Sequence, residues 1–288
     1  MGIEQRFSGL AIASPWIPDG AYDRRRSQSS SLSLPRSHTS LSVAATSTSP
    51  ANLVIPTRGP RAVVFRAAKE LTRILREGGY TFAILGSTAC YLYGNHRLPN
   101  DIDIVMSSHT CDLELLKEIL ATQNPNRFQL VDAKTPGATW KVLWYQDYVD
   151  GKLEKTKVDI LKPGVLHLPM IFSEAIVDKQ GFPVIPMSIL LLHKLQGWKD
   201  NMDSDLPRLR NKCDADAGDI CSLLEIIFES MSAQERKNST HWKRFSLERF
   251  DEEFRGDTER RVRLFCSIYP EYREMWKTLG WQIGLSSY

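Results

Sequence analysis

Two short runs of this sequence carry side chains that could do chemistry together. In TFAILGSTACYLYG (81–94), the pair Gly86 and Ser87 closes an apolar run and opens a helical one. Fourteen residues after Ser87, Asp101 and Asp103 punctuate a second apolar run, DIDIVM (101–106). At a strand-to-helix junction glycine lets the backbone turn tightly. The first amides of the helix, with the Ser87 hydroxyl, then form a seat for phosphate. Aspartates at i and i+2 on a strand project from one face, while Ile102 and Ile104 keep the other in the core. Carboxylates held that close repel each other, and one takes up a proton unless a cation compensates. Magnesium suits them, being a hard ion that shares its oxygen ligands with substrate phosphates. Each signal alone is ordinary, since Gly-Ser-Thr starts many helices and an isolated D-x-D often marks an exposed strand edge. Together they point to phosphate chemistry.

The elements that must position them can be read along the chain. Pro60 suits a first helical turn. Val64, Ala67, Leu71 and Ile74 recur at helical spacing, and Gly78-Gly79 stops the run. TFAIL (81–85) reads as a strand, with a short helix from Gly86 to about Tyr93. DIDIVM is a second strand, followed by the helix CDLELLKEILATQ. RFQLVD, ATWKVLWYQ and EKTKVDILK are three more strands, the last two joined by the hairpin signal Asp150-Gly151. From Pro186 onward the pattern is helical. The expected fold class is α/β: a small mixed β-sheet with flanking helices over 55–185, then an α-helical C-terminal half over 186–288.

The sequence GSTACYLYGNHRLPNDIDIVM resembles the signature of the nucleotidyltransferase superfamily, which has the polymerase-beta-like fold. Its form is most similar to the minimal and abortive-infection-toxin-type members. In those a Gly-Gly or Gly-Ser precedes an arginine that stands four residues before D-x-D, and Arg97 matches that arginine. Pro99 replaces the usual Ser or Thr. Downstream, LLLHKLQGWKDN resembles the family's lysine-bearing helix, with Lys194 in the matching place and Asn201 where an arginine is usual. NKCDADAGDICSLL resembles the next helix, with Asp216 and Asp219 at i and i+3. As isolated stretches both read as amphipathic bundle helices with solvated charges.

The resemblance implies a magnesium-dependent transfer of an NMP group from an NTP, ATP in the first instance, to an acceptor hydroxyl, releasing pyrophosphate. It implies metal-binding catalytic aspartates at Asp101 and Asp103, phosphate contacts from Gly86 and Ser87, and charge neutralisation by Arg97 and Lys194. The family adds a third carboxylate from a neighbouring strand. Asp159 in EKTKVDILKPG is the best candidate, because Val158 and Ile160 repeat the setting of Ile102 and Ile104. Asp147, Asp150 and Glu154 compete, but they sit at or near the hairpin turn, where exposed charge is expected. The alternative is a non-catalytic nucleotide- or partner-binding module that keeps the fold.

Bulk properties bound the rest. The chain has 288 residues, 42% hydrophobic and 25% charged, enough for one large domain or two modest ones. No apolar run approaches the roughly 20 residues a bilayer span needs, and no signal-peptide core opens the sequence. Five widely spaced cysteines and scattered histidines form no zinc pattern and read as reduced thiols of an intracellular, cytoplasmic protein. Residues 27–50 hold ten Ser and three Thr, so 1–54 reads as a disordered tail. Of the 37 basic and 34 acidic residues, six and three lie in 1–60, which leaves 31 of each beyond. That neutrality argues against extended contact with long nucleic acid, so the acceptor stays open among an RNA end, a protein side chain and a small molecule.

Overall fold

A computed structural model of the chain describes residues 53–134, 137–237 and 240–283. The expected tail therefore falls outside the described residues up to position 52. Ala62–Glu77 form helix α1, whose buried stripe (Val64, Ala67, Ala68, Leu71, Leu75) has helical spacing. Gly78 and Gly79 end it, Gly79 at φ +72, and the Tyr80 amide caps back to the Leu75 carbonyl. Phe82–Leu85 (β1) are wholly buried and lead into Gly86–Tyr93 (α2). Ile102–Met106 (β2) and Leu113–Gln123 (α3) follow, α3 capped by the Asp112 carboxylate.

Phe128–Asp132 (β3), Lys141–Val149 (β4) and Lys152–Leu161 (β5) complete the strands expected from the sequence. Asp150 and Gly151 both take positive φ between β4 and β5, as a two-residue hairpin turn requires. Two strands beyond that expectation, Val177–Lys179 (β6) and Phe182–Val184 (β7), form a second hairpin through Gln180 and Gly181. They are three residues long, and Pro183 removes a donor, so neither carries a period-2 signal.

The seven strands form one mixed sheet in the order β3-β4-β5-β2-β1-β7-β6. β2 pairs antiparallel with β1 and parallel with β5, and β7 runs parallel to β1. Helices α1 and α3 pack on the face bearing Leu143, Tyr145, Val158 and Ile160.

The C-terminal half is helical: Met187–Asp203 (α4), Pro207–Arg210 (α5), Cys213–Ser230 (α6), Ala233–Lys237 (α7), Thr240–Leu247 (α8), Glu252–Ile268 (α9) and Arg273–Thr278 (α10). Its centre is aromatic, with Trp198 of α4 edge-on to Phe265 of α9 and Trp276 edge-on to Trp281. Helix α4 also packs on α2, so the helical half braces the element that follows the Gly-Ser pair. All five cysteines are free thiols, and no described helix is long and apolar enough to cross a membrane.

Candidate active site

The Gly-Ser turn and the D-x-D strand meet because β1 and β2 are antiparallel neighbours, with Leu85 opposite Asp103. Gly86 sits at φ +66, and a Cβ there would lie 1.9 Å from Asp103 Oδ2. Both backbone geometry and the Asp103 carboxylate thus exclude a side chain. The residue before α2, Leu85, is extended and supplies no side-chain cap, so the first helical amides keep no intrahelical partner. Ser87 is buried with Oγ 3.5 Å from Asp101 Oδ1, and the Thr88 hydroxyl donates to the Asp101 carbonyl at 2.8 Å. These contacts hold Asp101 against the start of α2, just outside the strand.

The third aspartate comes from β5. The parallel register sets Asp159 directly beside Asp103, so the two side chains share a face. Burial drives the Asp103 carboxyl well above its ordinary range, and the charges of Asp101 and Asp159 push it further. Burial raises Asp159 as well, against the pull of Lys157, whose ammonium lies 3.1 Å from Asp159 Oδ1. Two of the competing acids have other partners. Asp147 is held by Arg66 and Arg127, and Asp150 accepts the Gly59 amide.

Arg97 and Lys194 converge on one carboxylate, Asp219 of α6, which is 1% exposed. The Arg97 guanidinium forks onto it, with Nε 2.8 Å from Oδ1 and Nη2 on Oδ2. Lys194 Nζ lies 2.8 Å from Asp219 Oδ2 and 3.4 Å from Asp216 Oδ1. Asn201, at the position where the resemblance leads one to look for arginine, donates to Asp216 at 2.7 Å. Burial works to raise the Asp219 carboxyl, but the Arg97 hydrogen bonds and the Lys194 charge outweigh it and hold it low. Lys194 is half-buried, yet the carboxylates of Asp219 and Asp216 keep it charged, and its field reaches Asp103. Asn95 was not expected from the sequence. Its amide donates to Asp219 at 2.8 Å and its oxygen accepts the Arg97 amide. A lone Asn before His96 carries no signal of such a role.

Among the described residues no group of three His, Cys, Asp or Glu side chains stands ready to hold a metal ion. The donor set is nonetheless the kind magnesium takes: hard carboxylate oxygens, half-buried and mutually repelling.

No family model and no curated protein sequence matches this chain. Solved structures do. An antigenic nucleotidyltransferase-like protein from Paracoccidioides brasiliensis superposes with a TM-score of 0.51 at 14% identity, covering 78% of this chain and 95% of that one. JHP933 from Helicobacter pylori covers 75% of this chain and 95% of its own at 16% identity, with a TM-score of 0.39. The Megavirus polyadenylate synthase reaches 0.34 at 15% identity, over 61% of this chain and 36% of its own. At these identities the likeness speaks to the fold, and we rest it on the first alone. The chain has the nucleotidyltransferase fold, an α/β core on a mixed sheet followed by a helical C-terminal region.

Proposed function

We propose that this chain is a nucleotidyltransferase that moves a nucleoside monophosphate from an NTP, ATP in the first instance, to an acceptor hydroxyl. The observation that carries the reading is the placement of Asp103 and Asp159 side by side in register, with Asp101 held to the start of α2 and Asp103 against Gly86. Asp101, Asp103 and Asp159 would hold magnesium, which when bound supplies the positive charge that offsets the triphosphate and the leaving pyrophosphate.

The chain's own groups have distinct tasks. The unpaired first amides of α2 and the Ser87 hydroxyl receive the β- and γ-phosphates at the positive end of the helix. Lys194 adds a fixed cation within reach of the carboxylates, and Arg97 keeps guanidinium N–H groups beyond those spent on Asp219. Asp159, its affinity for protons raised by burial, would take the proton from the acceptor hydroxyl. The acceptor oxygen bonds to the α-phosphorus as the bridging bond to the β-phosphate breaks, and pyrophosphate leaves in line.

One observation favours a second reading: Lys157 already offers a cation to Asp159, as a nucleotide-binding module without turnover could use it. Incubation with magnesium and each labelled NTP decides between them. Pyrophosphate release that Asp103→Asn abolishes supports transfer. Nucleotide affinity with no release refutes it.

A further inference from the structure

Over β3, β4 and β5 the sheet face turned away from α1 and α3 is open to solvent at several positions. Strand register puts Asp159, Lys157, Lys155 and Leu153 of β5 on one side, with Trp144 opposite Lys157 and Tyr148 opposite Leu153 on β4. Helices α1 and α3 occupy the other side, as the Arg66–Asp147 ion pair and the buried Leu143 and Tyr145 attest. The open face is apolar beyond what solvent favours. Tyr148 is 66% exposed, Leu153 46% and Val131 of neighbouring β3 47%. Trp144 is half-buried but stands apart from the hydrophobic core. Single exposed apolar residues need no explanation; several on one sheet face, beside a reactive centre, mark a binding surface.

Resting on the nucleotidyl-transfer reading above, we propose that this face of β4 and β5 binds the acceptor, and that the acceptor is the end of a single nucleic-acid strand. The chemistry of the face selects that class. Trp144 and Tyr148 offer flat rings on which successive bases stack, and Lys155 supplies charge for the phosphates between them. The row runs along β5 straight into Asp159, so a strand stacked on Trp144 delivers its terminal hydroxyl to the carboxylates. A small-molecule acceptor would call for a concave pocket, whereas this surface is a sheet face. The cleft of roughly 570 Å³ between α1 and α3 lies behind the sheet. Electrical neutrality of the chain beyond residue 60 confines the contact to a short strand.

The test is binding, measured apart from turnover. Fluorescence anisotropy of a labelled single-stranded oligoribonucleotide of about 12 nucleotides is followed with the full chain and magnesium, without NTP. Trp144→Ala should weaken binding about tenfold, the effect of losing one stacked base. Tyr148→Ala, at an exposed position where folding is not at stake, should weaken it several-fold. Lys155→Ala should lower the slope of log affinity against log salt by about 0.7. Tyr80→Ala, on the rim of the cleft behind the sheet, should change nothing. Absence of binding, or binding indifferent to Trp144, Tyr148 and Lys155, overturns the proposal. So does a dimer that Tyr148→Ser with Leu153→Ser dissociates while no strand binds, since a second copy is then the occupant. Strand binding without pyrophosphate release refutes the transfer reading and leaves the surface. Release without strand binding does the reverse.

Discussion

Two clusters of shielded charge feel Lys194, and they are built on opposite principles. Around Asp219 every charge has a partner: Arg97 forks onto it, Lys194 and Asn95 complete its shell, and Asn201 shares Asp216. Along β2 and β5, Asp101, Asp103 and Asp159 are gathered with far less to offset them, Lys157 at Asp159 being the nearest cation. The first cluster ties the loop after α2 to α4 and α6 and is complete as it stands. The second stores repulsion that a bound cation would relieve, which is how a site differs from a strut. Pairing decides it, more than the number of charges.

The sharpest way to break this contrast is Asp103→Asn. Turnover should fall on the order of a thousandfold, several kcal/mol at about 1.36 kcal/mol per decade. The metal-free protein should become more stable, because a repelling buried carboxylate is gone. Its melting temperature should rise about 2–4 °C for each kcal/mol relieved. Full activity in this variant would remove the enzyme reading.

Asp219→Ala should move stability the other way. It strands Arg97 and Lys194 without their counter-charge, at a cost of about 3–5 kcal/mol. Chemical denaturation of the two variants side by side reads the sign directly, and equal signs would erase the distinction between the clusters.

A smaller effect is expected from the ion itself. Magnesium should raise the melting temperature of the wild type by a few degrees at neutral pH through linkage, and chelation should reverse it. Asp159→Asn should keep its metal-free melting temperature, lose transfer and respond less to magnesium.

The smallest effect is the pH profile of the metal-free protein. Asp103 and Asp159 have raised folded-state pKa values, so the native state holds protons that the unfolded chain releases near pH 4. Their contribution is therefore most favourable below that pH and declines as pH rises toward the folded values. Asp219, held low, contributes stability above the unfolded value and loses it as pH falls through the folded one. Wild type minus Asp103→Asn, measured between pH 4 and 8, should slope downward with pH. A flat difference would mean that Asp103 is not perturbed.

Much of this was legible along the chain because the signals are local. Gly78-Gly79 ends α1, Asp150-Gly151 turns β4 into β5, and Gly86-Ser87 opens α2, each through the backbone freedom or capping of the residues themselves. Alternation alone placed Asp159 and Lys157 on one side of their strand, as their ion pair shows. What the chain could not announce was partnership. Arg97 and Asp219 are 122 residues apart, and only the docking of α6 onto α2 and α4 brings them into a fork, so an arginine that the resemblance assigns to phosphate stands in the fold as half of an ion pair. The parallel register of β2 and β5 is likewise a long-range result, set by which apolar faces pack against α1. Residue type and spacing determined which groups could do the chemistry. Tertiary packing decided which of them are fully matched by opposite charge and which are crowded against like charge, because Coulomb interactions depend on distance and burial, and neither is written in spacing along the chain.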